Sequence, residues 1–234
     1  MKSFMFAAVS ALCITSVSAH AATLSDLVGG ATLTEGDVTF DGFAFTDFNP
    51  NKIGPLTGDF VPDASEIEVT TSSTASTTTL SFALTPGASV TEFAVFDFFV
   101  DFSVAVSGAS SRTLTDVTLG GGDLIATEDA FSKIGFADAI ISPSVELEIF
   151  EDTLTGSQTS ETAMLGGLSS LDLFGTVEGN TFVDGATAGL STFSLTFDLA
   201  GTAPPPSPIP LPAGLPLLLA GLGGLVLLRG RKTL

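Results

Sequence analysis

The sequence contains no tryptophan and no tyrosine, and only one cysteine and one histidine. Those two, Cys13 and His20, lie in a stretch that reads as a signal peptide. Lys2 opens a basic n-region, residues 4–17 are an apolar run, and Ala19 and Ala21 place small side chains at the −3 and −1 positions of a signal peptidase site. Cleavage after Ala21 is expected, with Ala19 as the second choice; the run is too short to span a bilayer well as a retained anchor. Leu12 is larger than the small residue a lipoprotein signal needs before Cys13. The expected exported chain therefore has neither thiol nor imidazole. Ser-His-Asp and Cys-His catalysis are excluded, as are zinc or iron sites built on those ligands. No disulfide can staple the fold, and no P-loop or dinucleotide fingerprint follows any predicted strand.

Positive charge is equally scarce. All 26 Asp and Glu fall between Asp26 and Asp198, where the only cations are Lys52, Arg112 and Lys133, a formal −23. Such a surface repels phosphates and anionic headgroups, so no nucleic-acid partner is expected. It suits solubility in high salt or loose calcium binding. No EF-hand loop is present, however, and Leu119-Gly120-Gly121-Gly122-Asp123-Leu124 is only one imperfect, unrepeated turn of a calcium-binding roll. No cofactor or specific metal site is expected.

What is abundant is strand pattern. In residues 92–106, Phe96, Phe98, Val100, Phe102, Val104 and Val106 share one face. Phe93, Val95 and Phe99 intrude on the other, so burial of part of this strand on both sides is expected. Alternation also marks Val38 to Phe45, with Phe40, Gly42 and Ala44 on one face. It recurs at Leu80, Phe82 and Leu84, at Val145, Leu147 and Ile149, and at Phe193, Leu195, Phe197 and Leu199. Between Leu114 and Val117 the apolar phase slips, which predicts a bulge. Turn signals stand at Asn49-Pro50, Thr85-Pro86-Gly87, residues 120–123, Ser142-Pro143, Glu178-Gly179-Asn180 and Asp184-Gly185. Residues 161–170 read as a short helix weakened by Gly166-Gly167. The Thr/Ser run 70–79 reads as a Thr-rich edge strand and turn, with a glycosylated spacer as the alternative. Many short strands without βαβ alternation predict an all-β, antiparallel β-sandwich, jelly-roll-like or Ig-like. Phe can fill its core without needing a hydrogen-bond partner.

Beyond Leu199 the composition changes: residues 202–212 contain six prolines, and 209–228 carry no charge. Twenty residues of helix span about 30 Å, enough to cross a hydrocarbon core. Arg229, Arg231 and Lys232 follow and hold the tail on the cytoplasmic side, so the acidic domain lies on the other. The expected organisation is a signal peptide (1–21), an acidic ectodomain (22–201), a Pro-rich linker and motif (202–212), a single C-terminal transmembrane helix (213–228) and a basic tail (229–234).

Ile209-Pro210-Leu211-Pro212-Ala213, the Leu/Gly/Ala-rich run and the basic tail resemble the VPLPA-CTERM sorting domain, a relative of the PEP-CTERM signals of exported Gram-negative proteins. Ile209 replaces the motif's Val. The resemblance covers residues 209–234 and implies recognition by an exosortase, a membrane-embedded Cys protease or transpeptidase acting near the Pro motif. It also implies a home in the envelope surface or exopolysaccharide matrix. For the ectodomain, the expected role is non-enzymatic display. The alternatives are a carbohydrate-binding or carboxylate-pair glycoside-active module, and an unprocessed single-pass membrane protein. The pair Glu146 and Glu148 does not argue for hydrolysis, because acids two apart on a strand share its solvent face rather than facing across a cleft.

Overall fold

The computed structural model describes residues 21–47, 62–138 and 145–202. The chain divides into two compact units, 1–203 and 204–234, and the second lies outside the described residues. So do Ala19, the turns at Asn49-Pro50 and Ser142-Pro143, the motif 209–213, the apolar span 213–228 and Arg229, Arg231 and Lys232. Among the described residues no helix is long and apolar enough to cross a membrane.

The first unit is built of antiparallel strands in two seven-stranded sheets. One sheet has the order β1 (Ala21–Thr23), β4 (Ile67–Ser73), β5 (Thr77–Thr91), β14 (Thr187–Ala200), β7 (Thr113–Gly121) and β12 (Ser160–Leu168), with β8 (Ile125–Thr127) pairing β14. The other runs β11 (Gly156–Gln158), β10 (Glu146–Asp152), β9 (Ala130–Ala137), β13 (Ser170–Thr181), β6 (Val95–Val106), β3 (Val38–Asp47) and β2 (Leu33–Glu35). A five-residue helix, α1 (Leu24–Val28), begins at Thr23, whose hydroxyl accepts from Asp26 N–H.

Period-two patterning becomes burial directly. The six alternating residues Phe96 to Val106 all point inward, as do Leu147 and Ile149, and Phe193 to Leu199 on alternate positions. The inward rings meet across the sandwich. Phe102 lies 5.5 to 6.3 Å, centroid to centroid, from Phe40, Phe43, Phe82 and Phe136. Phe82 stacks on Phe193 at 4.6 Å, and Phe40 reaches Phe197 at 5.7 Å. Such pairs add to plain burial because ring edges and faces carry opposite partial charge.

Departures from the sequence pattern have local causes. The predicted slip in β7 is a bulge: Leu114 and Asp116 face consecutive residues Leu199 and Asp198, leaving Thr115 over. A second bulge at Asp41 to Ala44, with Gly42 at φ 64°, turns Phe43 rather than Gly42 inward. The strand expected from residue 92 starts at Val95, because Glu92 and Phe93 both take positive φ and swing Phe93 out to 54% exposure. Thr85-Pro86-Gly87 is no turn. Residues 84–87 bulge opposite Ser191 within β5, beyond the point where Ile67 starts pairing at Leu84, so the missing proline N–H breaks no ladder there. Glu178-Gly179-Asn180 continues β13, since a Cβ on Gly179 would collide with the Phe96 ring directly opposite. Residues 161–170 are not helical. They form β12 and the start of β13, and Gly166 and Gly167, both at positive φ, make a bulge where β12 follows β7. The Thr/Ser run is strand, turn and strand, with the Thr74 and Thr77 hydroxyls hydrogen-bonded at 2.7 Å across the turn.

One polar cluster is buried. Arg112, entering β7, donates from Nη1 to Asp37 Oδ1 at 3.1 Å and from Nη2 to the Ala75 carbonyl at 2.9 Å. The Ser110 hydroxyl donates to the other Asp37 oxygen. Both charged side chains are under a tenth exposed. This joins the β2–β3 turn to the β4–β5 hairpin of the other sheet, at the end where β14 finishes. Removing one partner of a buried pair strands the other charge, at a cost of about 3–5 kcal/mol. Arg112→Ala should lose that much in urea unfolding, whereas Arg112→Met combined with Asp37→Asn should recover most of it. Equal losses in both variants would contradict the pairing argument.

Candidate functional site

The outer face of the β10-β9-β13-β6 sheet carries the most concentrated chemistry among the described residues, and strand register assembles it. Lys133 on β9 stands opposite Phe150 on β10 and Glu178 on β13, and Glu178 stands opposite Asp97 on β6. Directly opposed residues point the same way, with Cβ atoms about 5 Å apart. One row across four strands therefore reads Phe150, Lys133, Glu178, Asp97. The next row toward the end where β14 finishes holds Glu148, Gly135 and Thr176, and the one after it Glu146, Ala137 and Phe174. On the other side Phe131 faces Asp152 and Asn180.

Among the described residues Lys133 is the single cation in this face. Its Nζ lies 2.7 Å from Glu148 Oε2 and 3.8 Å from Glu178 Oε1. The hydrogen bond to Glu148, with the charges of Glu148 and Glu178, raises its pKa against the opposing effect of burial. Glu161 of β12 closes over the edge, its carboxylate accepting from Glu148 N–H. Asp97 stands next to Glu178, which separates it from Lys133 in the row. Burial first, then the negative charges of Glu178 and Asp47, push its carboxyl up from 3.8 to about 6. Asp97 Oδ1 finds no hydrogen-bond partner among the described residues. Asp101 is also raised, by burial, against a hydrogen bond from the Gly175 backbone.

These side chains line one connected groove. A depression of about 490 Å³ runs from Glu146 and Phe174 to Lys133 and Glu178. It shares Lys133, Glu148 and Glu178 with a second depression at Phe131 and Phe150, and Phe131 and Glu178 carry it on to Asp97 and Asn180. Past Phe131 the groove reaches the sandwich rim. Phe131 and Phe182 lie 5.9 Å apart, and Phe182 is 51% exposed. Thr181 and Ala94 exchange backbone and hydroxyl hydrogen bonds, which brings the exposed Phe93 to the same rim. A larger open depression of about 590 Å³ at the edge of the opposite sheet is lined by Asp26, Glu66 and Glu68 and has no ring or cation.

Of the residues singled out from sequence, Glu146 and Glu148 line this groove. Ala21 is the first described residue and pairs with Thr70 as the start of β1, while Ala19 and the sorting motif lie outside the described residues. Glu146 and Glu148 do share the solvent face. The 119–124 run is the end of β7 and a turn whose Asp123 accepts a hydrogen bond from Ser191 at 2.6 Å. Among the described residues no three acidic, His or Cys side chains are grouped so as to hold a metal ion. Lys133, Glu178 and Asp97 come together only through cross-strand register, for which the sequence offered alternation alone. No family model matches the chain, and no curated protein matches it.

Because the folded Asp97 pKa exceeds its unfolded value, the native state holds a proton between pH 3.8 and 6 that the unfolded chain has released. Stability from this group is present at low pH and is lost as pH rises through 6. Asp97→Asn should therefore stabilise the protein at pH 7.5, on the order of 1 kcal/mol after solvent screening, and the gain should shrink toward pH 4. Urea midpoints at both values test this; the same gain at both would refute it.

Proposed function

We propose that the chain is an exported, non-enzymatic envelope-surface or exopolysaccharide-matrix protein whose acidic sandwich is displayed through the C-terminal segment 202–234. The observation that carries this reading is the arrangement of the C-terminal sequence: the Pro-rich stretch, the motif Ile209 to Ala213, the uncharged run and the basic tail begin where the sandwich ends. β14 finishes at Ala200 as an interior strand between β5 and β7, and the chain leaves the sheet at Gly201 and Thr202. A strand fixed on both sides is a firm point from which to tether a domain. Its partners on this reading are signal peptidase, an exosortase-type enzyme, the membrane and matrix polysaccharide.

The strand order supports the jelly-roll form of the sandwich over the Ig-like one. Eight strands make two four-stranded blocks, β5-β14-β7-β12 and β6-β13-β9-β10, and successive strands of the eight cross between the blocks, except the paired β9 and β10, in the double Greek-key manner. The groove favours binding over hydrolysis as the second reading, because Asp97 and Glu178 are neighbours pointing outward together, whereas a hydrolytic pair must flank the bond between them.

Mass spectrometry of both ends of the protein, purified from a host that encodes an exosortase, tests the first reading. It predicts an N-terminus at Ala22 and a C-terminus, or a modified peptide, near Pro212. An intact end at Leu234 would overturn sorting and leave a single-pass anchored domain.

A further inference from the structure

The geometry points to the groove on the outer face of β10-β9-β13-β6, with the aromatic rim at Phe131, Phe182 and Phe93, as a binding site for a polysaccharide bearing free amino groups. Three independent features converge on it. The first is the rim itself. Phe93 and Phe182 are each about half exposed, and Phe93 is held out by a backbone at φ 63°, next to Glu92 at φ 60°. Positive φ at two successive non-glycine residues costs stability, and such strain persists where the surroundings impose it. Ring faces left open in this way accept the C–H faces of a sugar and attract an ammonium through the ring quadrupole.

The second feature is charge. Among the described residues the groove offers, from the rim inward, Asp97, Glu178, Glu148 and Glu146 against Lys133 alone, and Lys133 is already engaged by two of them. A uronic-acid polymer would be repelled, and a neutral glycan would leave the carboxylates without a complementary charge. An amino-sugar chain supplies both hydroxyl donors and ammonium groups. The third is the groove's form. It lies on a sheet face over β9 and β13, whose backbone groups are already paired on both sides. A basic peptide seeking main-chain hydrogen bonds would find no free edge there, whereas a sugar chain asks only for rings and carboxylates. From Phe174, opposite Ala137, to Phe131 the groove covers seven residues of strand, roughly 20 Å, long enough for several sugar units.

The rim also lies at the end of the sandwich where β14 begins, and Thr202 at the end where it finishes. The strand between them is roughly 40 Å long, so the point of departure of the chain leaves the rim unobstructed by the sandwich. This inference rests on the envelope or matrix reading for its setting. Its test does not involve processing of the C-terminal segment, so either can fail alone.

Isothermal titration calorimetry of the full chain in detergent is the test, with glucosamine oligomers as the probe. N-acetylglucosamine oligomers, a uronic-acid oligomer and pentalysine are the comparisons. The glucosamine oligomers should bind best. Phe182→Ala, which changes no charge, and Glu178→Gln should each weaken binding about fivefold or more, while Asp198→Asn, which removes one charge from the opposite sheet, should change it little. Unchanged melting temperatures would show that both groove variants remain folded. No binding, equal loss in Asp198→Asn, equal affinity for the acetylated or acidic oligomers, or pentalysine binding as tightly with the same sensitivities would each overturn the proposal.

Discussion

The fold depends on phenylalanine rings from two sheets meeting in one layer. Phe102 touches four other rings, and the set reaches both sheets through Phe82, Phe193 and Phe197. With no disulfide available in the described unit, this layer is the main source of cohesion. It also sets demands on the backbone. Gly175 and Gly179 lie inward on β13, where a Cβ would meet the Phe136 and Phe96 rings standing opposite. The glycines are thus part of the core, as spaces that rings fill.

A core built from Phe carries no hydroxyl or indole N–H that must find a partner. Polar chemistry is therefore pushed to the ends and the outer faces. The two cations in the described residues divide that work. Arg112 is buried and ties the sheets together at the end where the chain leaves them. Lys133 lies on the outer face and offsets part of a carboxylate row that is otherwise unbalanced. Asp97, farthest from Lys133 in its row, has its carboxyl pushed up by burial first and by the neighbouring negative charges second. Solubility accounts for scattered surface carboxylates, but not for Glu178 directly opposed to Asp97 in a groove walled by rings.

Most of the strands were legible because each buries one face, so alternation in residues 96–106, 145–149 and 193–199 maps onto burial. Legibility failed where a residue's role is set by a distant partner. Gly179 reads as a turn until Phe96 is known to lie across from it. Pro86 reads as a turn until β4 is seen to start pairing at Leu84, leaving no ladder beyond it on that side of β5. Residues 161–170 read as helix because an edge strand open to solvent, here β12, needs little alternation, as the exposed Met164 shows. The candidate site was the least legible part. Phe150, Lys133, Glu178 and Asp97 come from four strands, and only register puts them in one row.

The sandwich that ends at Thr202 should be a self-sufficient module held by its ring core. Proteolysis of the intact protein within residues 203–212, followed by calorimetric melting of the released fragment, tests this most directly. A folded fragment with the melting temperature of the parent is expected. A fragment that unfolds or aggregates on release would show that the C-terminal segment is part of the fold.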